Sequence, residues 1–276
     1  MKKLFLFLLP LAFLASCNSD SDTPIEVEGC IDPNALNYNP YATVDDGSCI
    51  APLKKQGAFA VNYTATWCGP CGNWGAPKIH EMEEAGEPVV AITAHASGDP
   101  MYNSALYGSF SSVRPTGGGI PSFWVGDIDD GEPGDVTNLL AQTPPAGLEF
   151  IAARDGNNMN VMVRTLFFEN VSGEYYLSVY ILEDGIDGSS SAGQYAQNGV
   201  ANPATYKHDF VLRTAATPNS AYGEMIASGS IAAGSKYDKT YAIPVDASWN
   251  DIYVGVCLWK KDGTGFYSFV NALKKR

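Results

Sequence analysis

The chain has 276 residues, a formal charge of −13 and a pI near 4.5, which excludes nucleic acid and an anionic membrane surface as main partners. The length allows two domains of ordinary size. Only 17% of the residues are charged while Gly and Tyr are frequent, a mixture that suits a strand-rich exported protein better than a helical cytosolic one.

Residues 1–16 read as a lipoprotein signal peptide. Lys2 and Lys3 form its basic end, and the apolar stretch from Leu4 to Leu14 is too short to span a bilayer comfortably. It ends in Leu14-Ala15-Ser16-Cys17, which resembles the lipobox of bacterial lipoproteins; that resemblance implies acylation of Cys17 and attachment to the outer membrane through lipid. An ordinary secretory signal with a chance cysteine is the plainer alternative. Residues 17–29 form a polar, acidic tether of a composition that does not fold by itself.

Cys30 and Cys49 bound a module at residues 30–49 in which turn formers dominate. Its core is too small to hold without a staple, and an exported location makes a Cys30–Cys49 disulfide the expectation. The segment resembles a short Cys-bounded module that recurs in exported bacterial proteins. Asp32, Asn34, Asn37, Asn39, Asp45 and Asp46 carry oxygens of the kind calcium takes. The preferred reading is that these Asx side chains cap their own turns, so no metal is assigned, with Asp32, Asn34, Asp45 and Asp46 kept as the calcium alternative.

Residues 55–143 alternate strand and helix, which implies a small α/β sheet. Ala58 to Tyr63 is an apolar strand, and a helical stretch through Ile79, His80, Met82 and Glu84 stops at Gly86 and Pro88. Val89 to Thr93 is a second buried strand, Met101 to Phe110 reads as helix, and Pro121 to Val125 is a third strand. Asp135 to Gln142 opens on a good cap residue and makes a closing helix. From residue 145 to 276 the period becomes two, as in Met159, Val161, Val163, Thr165 and Phe167. Tyr175 to Leu182, Tyr253 to Trp259 and Phe266 to Val270 continue that character, with turns at Asp155-Gly156, Ser172-Gly173 and Asp262-Gly263. This half is expected to be an all-β antiparallel sandwich. Cys257 lies within an apolar run and reads as a buried free thiol.

Trp67-Cys68-Gly69-Pro70-Cys71 carries the chemistry. A cysteine at the start of a helix faces unpaired N–H groups and the positive dipole end, so its thiolate is stabilised. A second cysteine one turn later can close a disulfide with it. Half a zinc site is the competing reading, but His80, His95 and His208 are scattered and no second Cys-x-x-Cys exists. Gly119-Ile120-Pro121-Ser122 stands about fifty residues further on. With Ala65-Thr66-Trp67-Cys68-Gly69-Pro70-Cys71 it resembles the thioredoxin fold over residues 55–143.

That resemblance implies that Cys68 attacks a client disulfide and Cys71 resolves it. It also implies that Trp67 covers one side of the pair and that Pro121 is cis against the disulfide, with Ile120 offering backbone to an extended client segment. No cofactor is implied. Three features depart from the pattern: Asn62 stands where the fold buries an acid, Gly72 and Gly75 soften the helix, and Pro77 comes one residue late.

The wider layout adds Leu182-Glu183-Asp184-Gly185, the stretch from Tyr206 to Arg213, and the ending from Val254 to Ala272. Together these resemble the twenty-eight-kilodalton outer-membrane-protein family of exported lipoproteins. His208 with Lys207 and Arg213 offers an anion site, though strand decoration is the commoner role. His95 with Asp99 is expected to make a structural bond to a loop. The acidic run Asp127, Asp129, Asp130, Glu132 and Asp135 reads as a solvated turn. Two functions stay open: a thiol–disulfide oxidoreductase acting on exported client proteins or peptides, or a non-catalytic binding lipoprotein whose Cys68–Cys71 bridge is simply oxidised.

Overall fold

A computed structural model describes residues 26–187 and 206–276. The signal peptide, Cys17 and most of the tether lie outside the described residues. The end of the tether belongs with the module that follows it: Glu28–Gly29 pairs in parallel with Val44–Asp45. Cys30 and Cys49 are joined by a disulfide, and Cys30 and Ala35 form a minimal buried core. The Asx side chains turn onto their own backbone. Asp32 Oδ1 accepts from Asn34 N–H at 2.8 Å, Asp45 Oδ1 from Gly47 at 3.0 Å, and Asp46 Oδ1 from Ser48 at 2.9 Å. The contact with Ser48 holds the Asp46 carboxyl below its ordinary range. The module is fastened to the rest of the chain by Arg164, which donates to the carbonyls of Asn34 and Ala35 at 3.1 and 2.8 Å.

In the α/β part, β1 (Ala58–Thr64) and β2 (Val89–His95) are parallel neighbours. Both are continuous apolar runs because both are covered on two faces. β3 (Ser122–Val125) lies antiparallel on the other side of β1, and β4 (Ile128–Asp129) antiparallel to β3. The helix after the cysteine pair begins as a π turn over Cys71–Gly75 and continues as α1 (Ala76–Glu84). Side chains alternate across β1. Phe59 and Tyr63 face α2 (Ser104–Val113), where Phe59 stacks on Phe110 at 5.7 Å and Tyr63 meets Tyr107 at 5.3 Å. Asn62 points to the opposite side, toward α1, and α3 (Pro133–Leu140) packs beside α1.

Two helix starts differ from expectation for local reasons. Asp99 takes the Met101 N–H at 2.8 Å, and Asn103 Oδ1 then caps Leu106 N–H at 3.2 Å, so α2 begins at Ser104 and not at Met101. α3 begins at Pro133, because Asp135 is not the cap: its carboxylate reaches back to the Glu132 N–H at 2.9 Å.

The remainder is mostly β. β5 (Ala146–Asp155), β6 (Asn158–Phe167) and β10 (Lys236–Pro244) form a three-stranded antiparallel sheet in the order β10-β6-β5. Gly156, at φ +58°, turns the β5–β6 hairpin as its sequence predicts. β7 (Glu174–Asp184), β8 (Val211–Ala215), β9 (Glu224–Ala227), β11 (Asp251–Lys261) and β12 (Tyr267–Lys275) join the α/β strands in one nine-stranded sheet. Its order is β12-β11-β7-β8-β2-β1-β3-β4, with β9 beside β7. One face of β7 and β11 offers Val179, Ile181, Val256 and Leu258 to Phe150, Val161 and Val163 of the smaller sheet. The other face offers Tyr180, Tyr253 and Trp259 to the core built around Phe59 and Phe110.

The change of period at Thr143-Pro144-Pro145 is therefore not a break in hydrogen bonding or in packing. β8 meets β2 at Val211–Thr93. The sheet then curls until its far edge lies over the start of β1: Gly57 N–H donates to Asn271 Oδ1 at 2.7 Å, and Asn271 Nδ2 donates to Ala146 O at 2.9 Å. A Cβ at Gly57 would stand 1.9 Å from the Ala272 carbonyl oxygen, so glycine is required by this crossing. Arg114, 0% exposed at the end of α2, ties the same two halves. It donates to Gly126 O at 2.9 Å, Tyr222 Oη at 3.0 Å, Asp127 Oδ1 at 2.6 Å and Tyr267 O at 2.9 Å. Its guanidinium lies 4.7 Å from the ring of Trp259. Asp127 stays an exposed turn residue, its side chain 40% exposed, and the partial burial of its carboxyl raises its pKa above the ordinary value despite Arg114.

Candidate redox site

The apolar strand β1 ends at Thr64, and the chain turns through Ala65-Thr66-Trp67 to place Cys68 ahead of the π turn. Cys68 and Cys71 form a disulfide with S–S 2.04 Å. Cys68 is 6% exposed and Cys71 2%. The N–H of Cys71 points at Cys68 Sγ from 3.2 Å, so in the reduced pair a negative charge on Cys68 would be met by a backbone donor at a helix start. Trp67, 39% exposed, stands at the rim of the pair with its Nε1 beside Gly98.

Pro121 completes the wall. The Ile120-Pro121 peptide is cis, and the Ile120 carbonyl oxygen lies 3.7 Å from Cys68 Sγ. A Cβ on Gly75 would be 2.9 Å from Pro121 Cβ, so Gly75 is the close-approach point between helix and loop. Read in sequence, Gly75 was only a soft place in a helix; the packing supplies its reason. Trp67, Cys68, Cys71 and Pro121 are therefore brought together, over a span of more than fifty residues.

Behind Cys71 lies a narrow polar cavity of about 20 Å³ whose wall includes Asn62, Cys71, Thr93, His95, Tyr206 and His208. That volume is room for one water. Asn62 Oδ1 is buried with no hydrogen-bond partner, and His95 has no aligned partner at either ring nitrogen. Asp99 Oδ2 nevertheless approaches His95 Nδ1 to 3.1 Å, off the line of a good hydrogen bond. Asp99 also accepts the Thr66 N–H at 2.6 Å, which fixes the loop that delivers Cys68. Burial pushes the Asp99 carboxyl up, but the His95 contact and the N–H groups of Thr66 and Met101 outweigh it and hold it at about 2. The expected structural bond from the His95–Asp99 pair to a loop is present.

His208 comes from the β-rich half, and its ring meets His95 at 5.6 Å between centroids. Burial, then the neighbouring His95, lowers its pKa to about 4. The anion site suggested by Lys207, His208 and Arg213 does not assemble. Lys207 pairs with Asp187 at 3.2 Å, and Arg213 meets Glu183 at 3.2 Å and lies over Trp249. Alternation turns the neighbours Lys207 and His208 to opposite faces of their short strand, and Arg213 lies on a different strand, β8. Cys257 is a free thiol in the core, pushed well above its ordinary pKa by burial, as its apolar run indicates. Thr66, Tyr206 and the pairing of His95 with His208 were not legible beforehand, since no local spacing links residues so far apart.

Among the described residues, no group of three or more His, Cys, Asp or Glu side chains is arranged to hold a metal ion, and no helix is long and apolar enough to cross a membrane. No protein-family model matches the chain, and no curated protein matches it. Among solved structures it is similar to a penta-heme cytochrome c552 from Thermochromatium tepidum, with 10% identity and a TM-score of 0.22 over 71% of this chain. The match spans 49% of that protein's length, and a likeness this slight carries no argument about fold or chemistry.

Proposed function

We propose that this protein is a lipid-anchored envelope thiol–disulfide oxidoreductase acting on exported proteins or peptides. In this reading residues 55–143 are a thioredoxin-like unit and residues 145–276 a β-sandwich. The observation that carries it is the Cys68–Cys71 disulfide at the head of a helix, with the Cys71 N–H on Cys68 Sγ and Ile120-Pro121 alongside. The strand order β2-β1-β3-β4, with α1 and α3 on one face and α2 on the other, supports the thioredoxin-like part. The π turn supports it too. Such a turn takes up one residue more than an α turn, and Pro77 stands one residue beyond its expected place. The apolar layer between the two sheets supports the sandwich. Membership of the twenty-eight-kilodalton outer-membrane-protein family and an outer-membrane address rest on the motifs quoted from the sequence, Leu14-Ala15-Ser16-Cys17 first among them.

One observation favours the second reading, a binding lipoprotein with a permanently oxidised bridge: both sulfurs are nearly covered in the disulfide state. Turnover separates the two. The purified protein with excess dithiothreitol is expected to reduce an interchain protein disulfide, and Cys68→Ser to abolish this. Cys71→Ser is expected to accumulate mixed disulfides with clients through Cys68. Absence of both turnover and trapped clients would reject the oxidoreductase and leave the binding protein.

A further inference from the structure

The cavity behind Cys71 raises a question of proton movement, which rests on the oxidoreductase reading. In the closing half of an exchange cycle the Cys71 sulfur attacks the Cys68–client disulfide. The Cys68–Cys71 bond forms, the Cys68–client bond breaks, and the client sulfur leaves with the electron pair as a thiolate. The client disulfide gains two electrons, the cysteine pair loses two, and an external dithiol later resets the pair. Cys71 must shed its proton in this step, in a place where burial disfavours a thiolate. Asn62, on the same cavity wall, has no atom that accepts a proton.

We propose that His95, steadied by Asp99, accepts the Cys71 proton through a single water held in this cavity. Cys71, Asn62 and His95 share the wall of a space with room for one water. Asn62 Oδ1 and His95 Nε2 are buried polar atoms without partners that could hold such a water. The Asp99 carboxylate, 3.1 Å from Nδ1, favours the tautomer that carries its proton there and leaves a lone pair on Nε2. Asp99 also offsets the charge that His95 would gain.

Of the other groups facing the cavity, His208 and Tyr206 are poorer acceptors. His208 resists protonation down to about pH 4 because of burial and of His95 itself. Burial holds the Tyr206 phenol protonated up to about 12. His80, on α1, turns its Nε2 to Asp209 at 3.5 Å, and with side chains 37% and 27% exposed both open to solvent, unlike the enclosed His95–Asp99 pair.

A two-phase single-turnover reaction tests this. The reduced full-length protein is mixed with an aromatic symmetrical disulfide that releases a coloured thiolate. Attack by Cys68 releases the first thiolate, and attack by Cys71 on the resulting mixed disulfide releases the second. His95→Gln is expected to leave the first phase intact and slow the second about a hundredfold, the usual scale of general base assistance. The second phase should then rise with pH as free Cys71 thiol ionises. In the His95→Gln background, Asn62→Asp puts a carboxylate on the same wall and is expected to recover the second phase at least about tenfold, short of the full general-base contribution. A second phase within about twofold of the parent, a change far below the size of general-base assistance, overturns the proposal. So does a slowed phase that Asn62→Asp does not recover, since that is what a merely structural histidine would give. A missing first phase in the parent protein refutes the oxidoreductase reading, and the proton acceptor with it.

Discussion

Replacing Arg114 with methionine probes how the two halves of the sequence are joined. Methionine keeps a flexible apolar stem of similar reach but removes every donor. The carbonyls of Gly126 and Tyr267 and the hydroxyl of Tyr222 each lose the guanidinium partner they now have. An orphaned acceptor costs about 1–3 kcal/mol where water cannot reach it, and loss of the contact with Trp259 adds about 1 kcal/mol. Against this, the buried guanidinium no longer has to be desolvated. Asp127 contributes little, because its side chain is 40% exposed and can rehydrate. The net expectation is a loss of about 3–4 kcal/mol, within the range for breaking a buried charged pair. Asp127→Asn should cost under about 1 kcal/mol, as for other solvent-accessible pairs. The assay is urea unfolding with the disulfides intact, followed by tryptophan fluorescence and far-ultraviolet circular dichroism. Because Arg114 touches strands from both halves, the two signals should shift together in one transition. A loss below about 1 kcal/mol, the scale of an exposed pair, or separate transitions for the two signals, would refute the reasoning.

Three further outcomes follow from the same geometry. Gly75→Ala should gain up to about 1 kcal/mol of helix propensity yet destabilise overall by about 1–3 kcal/mol, because its Cβ would meet Pro121 at 2.9 Å; thermal unfolding reads the sign, and a stabilised variant would contradict the packing. For His208, the unfolded chain binds a proton near pH 6.5 that the folded chain refuses until about pH 4, so stability falls as pH drops through that window, by an amount on the order of 3 kcal/mol. His208→Asn should flatten this slope in urea titrations at successive pH values, and an unchanged slope assigns it elsewhere. Removing the Cys30–Cys49 bridge by a paired Cys→Ala change should cost about 3 kcal/mol within the module, given a separation of 19 residues. Proteolysis should then cut residues 30–49 first, and a resistant module would mean that Arg164 and Lys236 hold it without the bridge.

Much of the site was readable from local chemistry. Cys68 and Cys71 lie one helical turn apart, and their disulfide needs no distant residue. Asp32, Asp45 and Asp46 of the module cap turns within two positions of themselves, as their local sequence dictates. Residues whose meaning depends on a remote partner were opaque. Gly75 matters because Pro121 leans on it, and Gly57 because Ala272 crosses it. Val211 to Ala215 is a short strand without clean alternation, half buried at its middle, and its periodicity gave no sign that it would join β2.

The sequence alone determined the elements with strong patterns: the buried runs of β1 and β2, the alternating strand β6, the apolar strands β7 and β11 (which proved buried on both faces), the two bridges and the buried Cys257. Apart from the Cys30–Cys49 bridge, which spans 19 residues, these follow from side-chain period and short-range turn chemistry. Only the tertiary structure decided that strands from both halves share one sheet, that Arg114 lies in their common core, and that His208 comes to rest against His95 behind Cys71. The physical reason is that burial is non-directional and indifferent to separation along the chain. Which apolar faces meet is settled by the curl of the whole sheet, and that curl carried a histidine from one half into the polar cavity of the other.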